Sequence, residues 1–157
     1  KVADFSEPYY FDLPPMILVK AENVDQFTGL DSFDGLVVGA QTGTTKEDIV
    51  LNDLTGAELL SLATVNDLVN NLVYDKCSAL VLDGAVAMKY AETNASLVVC
   101  EAISLGEAAP YRVAVKEGDP KGLLESINKT LAQITSDGTM DMYITDADAM
   151  SVAALEG

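Results

Sequence analysis

Short apolar runs that alternate with segments of helical period are the main pattern of the chain. Five runs of five residues each predict strands: Met16 to Lys20, Leu36 to Ala40, Ser78 to Leu82, Ser96 to Cys100 and Tyr111 to Val115. Most of these runs are too uniformly apolar for a strand with one exposed face, so they indicate a sheet that is covered on both sides. A weaker strand candidate is Glu58 to Thr64.

Amphipathic helices are predicted between the strands. Apolar residues recur at spacings of three and four from Val65 to Val73, and Thr64 and Asp67 have capping-box spacing at the start of that segment. Three further segments of this kind predict helices: Ala85 to Ala91, Pro120 to the stop signal Asp137-Gly138, and Met140 to Ala147. The alternation predicts an α/β fold with a doubly wound, mainly parallel five-stranded sheet.

Composition excludes several classes of protein. The chain has 25 acidic and 9 basic residues, a net charge of −16, which opposes binding to nucleic acids and to anionic membrane surfaces. The longest stretch without a charged residue, Gly35 to Thr45, has 11 residues. A membrane-spanning helix needs about 20 apolar residues. Since 49% of the residues are hydrophobic, the acidic groups are expected to cover the surface of a folded domain.

Catalytic, metal and cofactor sites are not predicted. The chain has no histidine, so neither a Ser-His nor a Cys-His pair can form. Cys77 and Cys100 are too far apart for a CxxC motif, and two buried free thiols are favoured over a disulfide. The sequence therefore favours a binding protein without a cofactor over an enzyme.

The first candidate for a binding site is the loop that follows the strand Leu36 to Ala40. Thr44 and Glu47 have capping-box spacing, so a helix is expected to begin here with its N–H groups above the sheet. Such a helix end attracts anions, and a carboxylate is the natural guest because the phosphate-binding pattern G-x-x-x-x-G-K-S/T is absent. The alternative is an ordinary capped helix that binds no ligand. The candidate segment consists of the loop residues Gln41, Thr42, Gly43, Thr44 and Thr45, followed by Lys46 and Glu47.

The second candidate is Asp83, which directly follows the strand Ser78 to Leu82. Its carboxylate can cap the next helix, which is the more frequent role, or it can accept an ammonium group at the rim of a cleft. In an open parallel sheet, Asp83 and the loop from Gln41 to Thr45 both lie beyond the carboxyl ends of strands, where ligands of such folds bind. Donors for an anion beside an acceptor for a cation suit a zwitterion, namely a free α-amino acid.

Five segments in this order resemble the extracytoplasmic solute-binding proteins of ABC importers, in the polar amino-acid family. They are DFSEPYY (Asp4 to Tyr10), LVVGAQTGTT (Leu36 to Thr45), SALVLDG (Ser78 to Gly84), YRVAVKEGDP (Tyr111 to Pro120) and INKTLAQITSDGT (Ile127 to Thr139). The resemblance implies the type II fold of periplasmic binding proteins, in which two lobes joined by hinge strands close over an amino acid. It implies no cofactor.

The resemblance also implies an organisation and a set of roles. Residues 1–13 would be the end of the first lobe and a hinge, 14–107 the second, ligand-binding lobe, 108–112 a hinge, and 113–157 a segment of the first lobe. Asp83 would accept the ligand's α-ammonium, Thr44 and Thr45 would lie near its α-carboxylate, and Gln41 near its side chain. The partners would be a free polar amino acid and a membrane permease. The protein would lie in the periplasm, or it would be held by a lipid anchor on the outer face of the cell membrane.

The chain departs from the family at its start. DFSEPYY normally follows most of the first lobe, including a T-x-x-R segment whose arginine grips the ligand carboxylate, and here Lys1 to Ala3 alone precede it. The chain is therefore expected to hold half of the site, to bind weakly by itself, and to form a homodimer through surfaces that the first lobe would cover. Alternatives are a ligand-sensing domain of a receptor, or an enzyme such as a dehydratase on the same fold.

Overall fold

The computed structural model describes residues 2–108 and 110–155, and describes residues 148 and 151–155 by their backbone alone. The chain divides into two compact units, one of Lys1–Phe11 with Pro110–Gly157 and the other of Asp12–Ala109. Within the described residues, no helix is both long enough and apolar enough to cross a membrane.

The strands and helices follow one another in the predicted alternation. The strands are β1 (Ala3–Phe5), β2 (Tyr10–Phe11), β3 (Met16–Lys20), β4 (Val37–Gln41), β5 (Glu58–Leu62), β6 (Ala79–Leu82), β7 (Leu97–Val99), β8 (Pro110–Tyr111) and β9 (Ala114–Lys116). The helices are α1 (Thr45–Asn52), α2 (Val65–Val73), α3 (Gly84–Thr93), α4 (Leu123–Ser136) and α5 (Thr139–Leu155), with short 3-10 helices at Ala21–Gln26 and Leu30–Phe33.

The unit of Asp12–Ala109 is built on one five-stranded sheet with the order β5-β4-β6-β3-β7. β4 is parallel to both β5 and β6, whereas β3 is antiparallel to both β6 and β7. Four strands therefore point one way and β3 points the other. The predicted α/β class is confirmed, and the sheet is mixed because β3 runs opposite to both of its neighbours.

Both faces of the sheet carry a hydrophobic core, as a doubly wound fold requires. Alternate residues of each central strand point to opposite faces. Ile17 and Val81 pack on the face that the 3-10 helices and α1 cover, together with Phe33. Leu18 and Leu80 pack under α2 and α3 on the other face.

The unit of Lys1–Phe11 and Pro110–Gly157 contains two small antiparallel ladders, β1 with β9 and β2 with β8, and the helices α4 and α5. The predicted strand Tyr111 to Val115 is wrong as a member of the large sheet: it is divided between β8 and β9. The fifth strand of that sheet is β5, the weaker candidate. β5 is an edge strand with half-exposed residues, so its apolar signal is weaker.

The predicted start of α4 at Pro120 is also wrong, since the helix begins at Leu123. The carboxylate of Asp119 accepts hydrogen bonds from the N–H groups of Leu123 and Leu124, at 2.8 and 3.0 Å. Pro120 lies in the turn before the helix, because Asp119 satisfies the first N–H groups from outside it.

Both cysteines are free and buried, as predicted. Cys77 belongs to the core under α2 and α3, and Cys100 belongs to the core on the opposite face. Burial raises the pKa of the Cys77 thiol to about 11, so it stays protonated at neutral pH.

Candidate ligand-binding site

The loop after β4 leaves the sheet at the carboxyl end of two parallel neighbours, β4 and β6. Gly43 has a φ of +76°, a conformation that favours glycine, and it lets the chain turn from strand to helix within three residues. α1 then begins at Thr45. The loop is therefore a tight turn whose shape depends on Gly43.

Thr44 caps α1, as its position predicts. Its Oγ1 accepts a hydrogen bond from the N–H of Lys46 at 3.3 Å and donates one to the Gln41 carbonyl at 2.8 Å. The N–H of Thr45 has no acceptor among the described residues. This N–H is a free donor at the positive end of the α1 helix.

Glu47 does not complete the capping box, so that part of the prediction is wrong. Its carboxylate accepts from the N–H of Gly43 at 2.7 Å and from the Ser61 hydroxyl at 2.5 Å, instead of from the N–H of Thr44. The Ser61 hydroxyl also contacts that of Thr42, at 2.7 Å. Since Ser61 lies on β5, these bonds fasten the loop to the neighbouring strand.

Gln41 is held by a second contact with the region after β5. Its Nε2 donates to the Ala63 carbonyl at 3.0 Å. A backbone carbonyl only accepts, so this bond fixes the orientation of the amide. Oε1 of Gln41 has no hydrogen bond among the described residues and remains available as an acceptor.

Asp83 directly follows β6 and occupies the N-cap position of α3, but its side chain makes no capping hydrogen bond. The more frequent role that the sequence favoured, helix capping by the carboxylate, is therefore wrong. The carboxylate instead forms an ion pair with Nζ of Lys46 through Oδ1. The Asp83 side chain is 50% exposed and that of Lys46 only 15%, so the stem of the lysine is largely covered while its ammonium group meets the half-exposed carboxylate.

Gly84 allows α3 to start close to the preceding chain. A Cβ at this position would lie 2.3 Å from the Pro14 carbonyl oxygen and 2.6 Å from Cβ of Leu13. Only a residue without a side chain fits this approach. Gly84 therefore helps to set the position of Asp83 at the edge formed by the carboxyl ends of β4 and β6, which we call the lip of the sheet.

A cavity of about 80 Å³ joins the two candidate segments. Its polar wall is formed by Gln41, Thr44, Lys46 and Asp83, and its apolar wall by three valines and a leucine: Val65, Val81, Val86 and Leu82. Thr42, Gly43 and Thr45 belong to the loop but do not line the cavity. Ligand pockets usually measure roughly 300 to 1,000 Å³, so this one can enclose only part of a small molecule.

Three contributors were not among the predicted ligand-binding residues: Lys46, Ser61 and the Ala63 carbonyl. Lys46 follows the loop directly and carries the charge opposite to that of Asp83, which was the available signal. Ser61 and Ala63 become neighbours of the loop only through the parallel pairing of β4 with β5. Within the described residues, no group of acidic and cysteine side chains is arranged to bind a metal ion.

The contribution of Glu47 to the stability of the fold is expected to depend on pH. The Ser61 hydroxyl, and next the N–H of Gly43, lower the pKa of Glu47 below its ordinary value of 4.5. A carboxyl group whose pKa is lower in the folded state stabilises the fold above its unfolded pKa, and this contribution is lost as the pH falls through the folded pKa. Carbon NMR titration should find the Glu47 midpoint below 4.5 in the wild type and higher in Ser61→Ala. An unchanged midpoint in that variant contradicts the role of the hydroxyl.

The family model described as bacterial extracellular solute-binding proteins, family 3, matches residues 1–145. No curated protein matches the chain. Among solved structures, the chain is similar to the amino-acid ABC transporter substrate-binding protein AbpA of Streptococcus pneumoniae Canada MDR_19A, which is bound to L-arginine. The identity is 28% and the TM-score 0.79, over 94% of this chain and 62% of that one.

Two ancestral proteins are similar as well. One is an arginine-binding protein bound to glutamine, at 32% identity and a TM-score of 0.72, over 89% of this chain and 61% of that one. The other is the amino-acid-binding protein AncCDT-1, a precursor of cyclohexadienyl dehydratase, at 30% identity and a TM-score of 0.73, over 89% of this chain and 58% of that one. The chain thus spans about 60% of the length of these structures.

Proposed function

Because the chain belongs to family 3 of the bacterial extracellular solute-binding proteins, we propose that it supplies one side of an amino-acid site in the substrate-binding component of an ABC importer. The observation that carries the proposal is the cavity that Thr44 and Asp83 both line, at the carboxyl ends of β4 and β6. It brings a capped helix start and a carboxylate to one lip of the sheet. The fold and the family match support it.

The proposed ligand is a free polar α-amino acid. Asp83 accepts its α-ammonium, and the N–H of Thr45, with Thr44 beside it, binds its α-carboxylate. Gln41 offers Oε1 to a donor on the ligand side chain, such as an amide, ammonium or guanidinium group. Thr42 and Gly43 give the loop its shape. L-Arginine and glutamine, which are bound in two of the similar structures, both carry such donors.

The proposed organisation has two lobes. Residues 14–107 form the second lobe, residues 1–13 and 108–112 contain the hinges, and residues 113–157 belong to the first lobe. The similar structures are longer than this chain. A protein that contains this chain together with a complete first lobe, which we call the two-lobed protein, would contribute a facing wall that encloses the ligand. A membrane permease would then receive the amino acid outside the cytoplasm. A lipid anchor and a homodimer of this chain stay predictions.

A binding role is proposed in preference to catalysis. The chain has no histidine, and in the cavity the titratable side chains are Lys46 and Asp83, which are paired with each other. A similar ancestral protein is a precursor of a dehydratase, yet it is itself an amino-acid-binding protein. The chemistry of these residues supports holding a zwitterion.

Calorimetry with the two-lobed protein tests the proposal. L-Arginine, L-glutamine and L-glutamate are each compared with their N-acetyl derivatives. We expect arginine or glutamine to bind with micromolar affinity or better, and acetylation to abolish binding because it removes the charge that Asp83 accepts. Equal binding of the acetylated form, or no binding of any of these amino acids, contradicts the proposal.

The 157-residue chain alone is expected to bind the same amino acid only weakly. Without a facing wall, water remains around the charged groups and screens each contact. Micromolar affinity of this chain by itself would contradict the division of the site between two lobes.

A further inference from the structure

Lys46 is the one cation among the residues that line the cavity. It lies in the first turn of α1, where a positive charge is unfavourable because the helix dipole is positive there. Its side chain is 85% buried, and its ammonium group pairs with Asp83. The Asp83 carboxylate offsets the cost of holding Lys46 at this helix end.

Neither member of this ion pair is saturated. A carboxylate has about four acceptor positions and an ammonium has three donors. The pair uses Oδ1 of Asp83, and the half-exposed carboxylate keeps Oδ2 without a partner among the described residues. Nζ of Lys46 likewise has no other acceptor there. Each group can therefore bind a ligand atom while the pair stays intact.

The charges at this lip favour a ligand that brings its own anion. Lys46 and the free N–H of Thr45 are positive features, and Asp83 is the negative one. An amine without a carboxylate would have to share Asp83 with the Lys46 ammonium and would meet repulsion from it. A zwitterion adds a carboxylate for Lys46 and an ammonium for Asp83, so both new contacts are attractive.

We propose that Lys46 is a specificity-determining residue, which binds the ligand α-carboxylate and restricts the site to zwitterionic α-amino acids. This inference rests on the proposed function, because it assumes that Asp83 receives the α-ammonium. The competing possibility is that Lys46 occupies the place of that ammonium and must leave before the ligand binds. The two possibilities predict opposite effects when Lys46 is neutralised.

The test compares Lys46→Met with wild type in the two-lobed protein. The probes are L-arginine and L-glutamine, each beside its α-carboxamide, which keeps the ammonium and lacks the carboxylate charge. Lys89→Met is the matched control, since Lys89 pairs with Glu92 on α3 and does not line the cavity. Calorimetry measures each affinity, and thermal melting confirms that every variant is folded.

In Lys46→Met, we expect affinity for the free amino acid to fall roughly 10- to 100-fold, the usual value of a hydrogen bond to a charged group. Affinity for the carboxamide should stay the same or rise, so the preference for the free acid shrinks. Lys89→Met should match wild type, and Lys46→Arg, which keeps the charge, should retain the preference if the Met variant proves unstable.

Two results overturn the inference while leaving the proposed function intact. Tighter binding of both ligands by Lys46→Met would make Lys46 a competitor for Asp83. An equal loss for both ligands would make its role structural. If wild type binds neither these four probes nor L-glutamate, the proposed function fails and this inference fails with it.

Discussion

Replacing Asp83 by alanine in the two-lobed protein is expected to weaken amino-acid binding by about 2 to 5 kcal/mol, the usual cost of truncating one partner of a desolvated charge pair. In the chain described here the Asp83 side chain is half exposed. A facing lobe would exclude water from it, which strengthens its attraction for the ligand ammonium. Calorimetry on the variant measures the loss.

Glu92→Ala is the matched control for Asp83→Ala. Glu92 is also a carboxylate on the α3 segment and is also paired with a lysine, but it does not line the cavity. We expect its removal to leave affinity unchanged. If Asp83→Ala and Glu92→Ala bind alike, Asp83 is not part of the site.

Replacing Leu80 by alanine is expected to lower the free energy of unfolding by about 2 to 5 kcal/mol, the range for large-to-small changes in a core. Leu80 is fully buried on the central strand β6 and packs under α2 and α3. A domain of this size has a total stability of about 5 to 15 kcal/mol, so the loss is a large fraction of it. Chemical denaturation of the 157-residue chain measures it.

Gly39 provides a second variant that tests this packing. A Cβ at Gly39 would lie 2.5 Å from a methyl carbon of Leu80 and 2.9 Å from one of Leu68. Gly39→Ala alone should therefore destabilise the chain by about 1 to 3 kcal/mol through overpacking. In the double variant, which combines Gly39→Ala with Leu80→Ala, the new methyl group enters space that the Leu80 side chain has left. The combined loss of stability should therefore be smaller than the sum of the two single losses. Strict additivity would contradict this contact.

The sequence was most informative where one physical signal dominates. The runs around Leu18, Val38 and Leu80 are apolar on both sides because these strands lie in the middle of the sheet. These runs therefore predicted a sheet that is covered on both faces. The stripe from Val65 to Val73 predicted α2 because a helix between core and solvent alternates with a period of 3.6 residues.

Sequence patterns failed to predict an element where its direction or pairing depends on its neighbours in the fold. The direction of β3 depends on connections that its uniform composition does not encode. β5 lies at an edge, and its mixture of half-exposed residues resembles a loop pattern more than the central strands do. Tyr111 to Val115 alternates like a strand, yet it is divided into two short ladders that pair with distant residues.

For the site, the sequence placed two segments beyond strand ends, and the parallel pairing of β4 with β6 brings them together. The partners of these segments were not predictable. The side chains of Lys46 and Glu47 reach across several ångströms, so their choice of Asp83 and Ser61 depends on which strands are adjacent. Spacing along the chain suggested that Glu47 completes a capping box with Thr44 and that Asp83 caps α3, but both carboxylates bond to other groups instead.

A crystal structure of the two-lobed protein with its amino acid bound would show directly whether Asp83 and the N–H of Thr45 hold the ligand. We predict the α-ammonium within hydrogen-bonding distance of the Asp83 carboxylate, and the α-carboxylate at the N–H of Thr45. A ligand bound elsewhere, such as in the cavity of about 230 Å³ beside Lys20 and Cys77, would contradict the assignment of Asp83 and Thr45 to the site. So would a bound ligand that leaves Asp83 in contact with Lys46 alone.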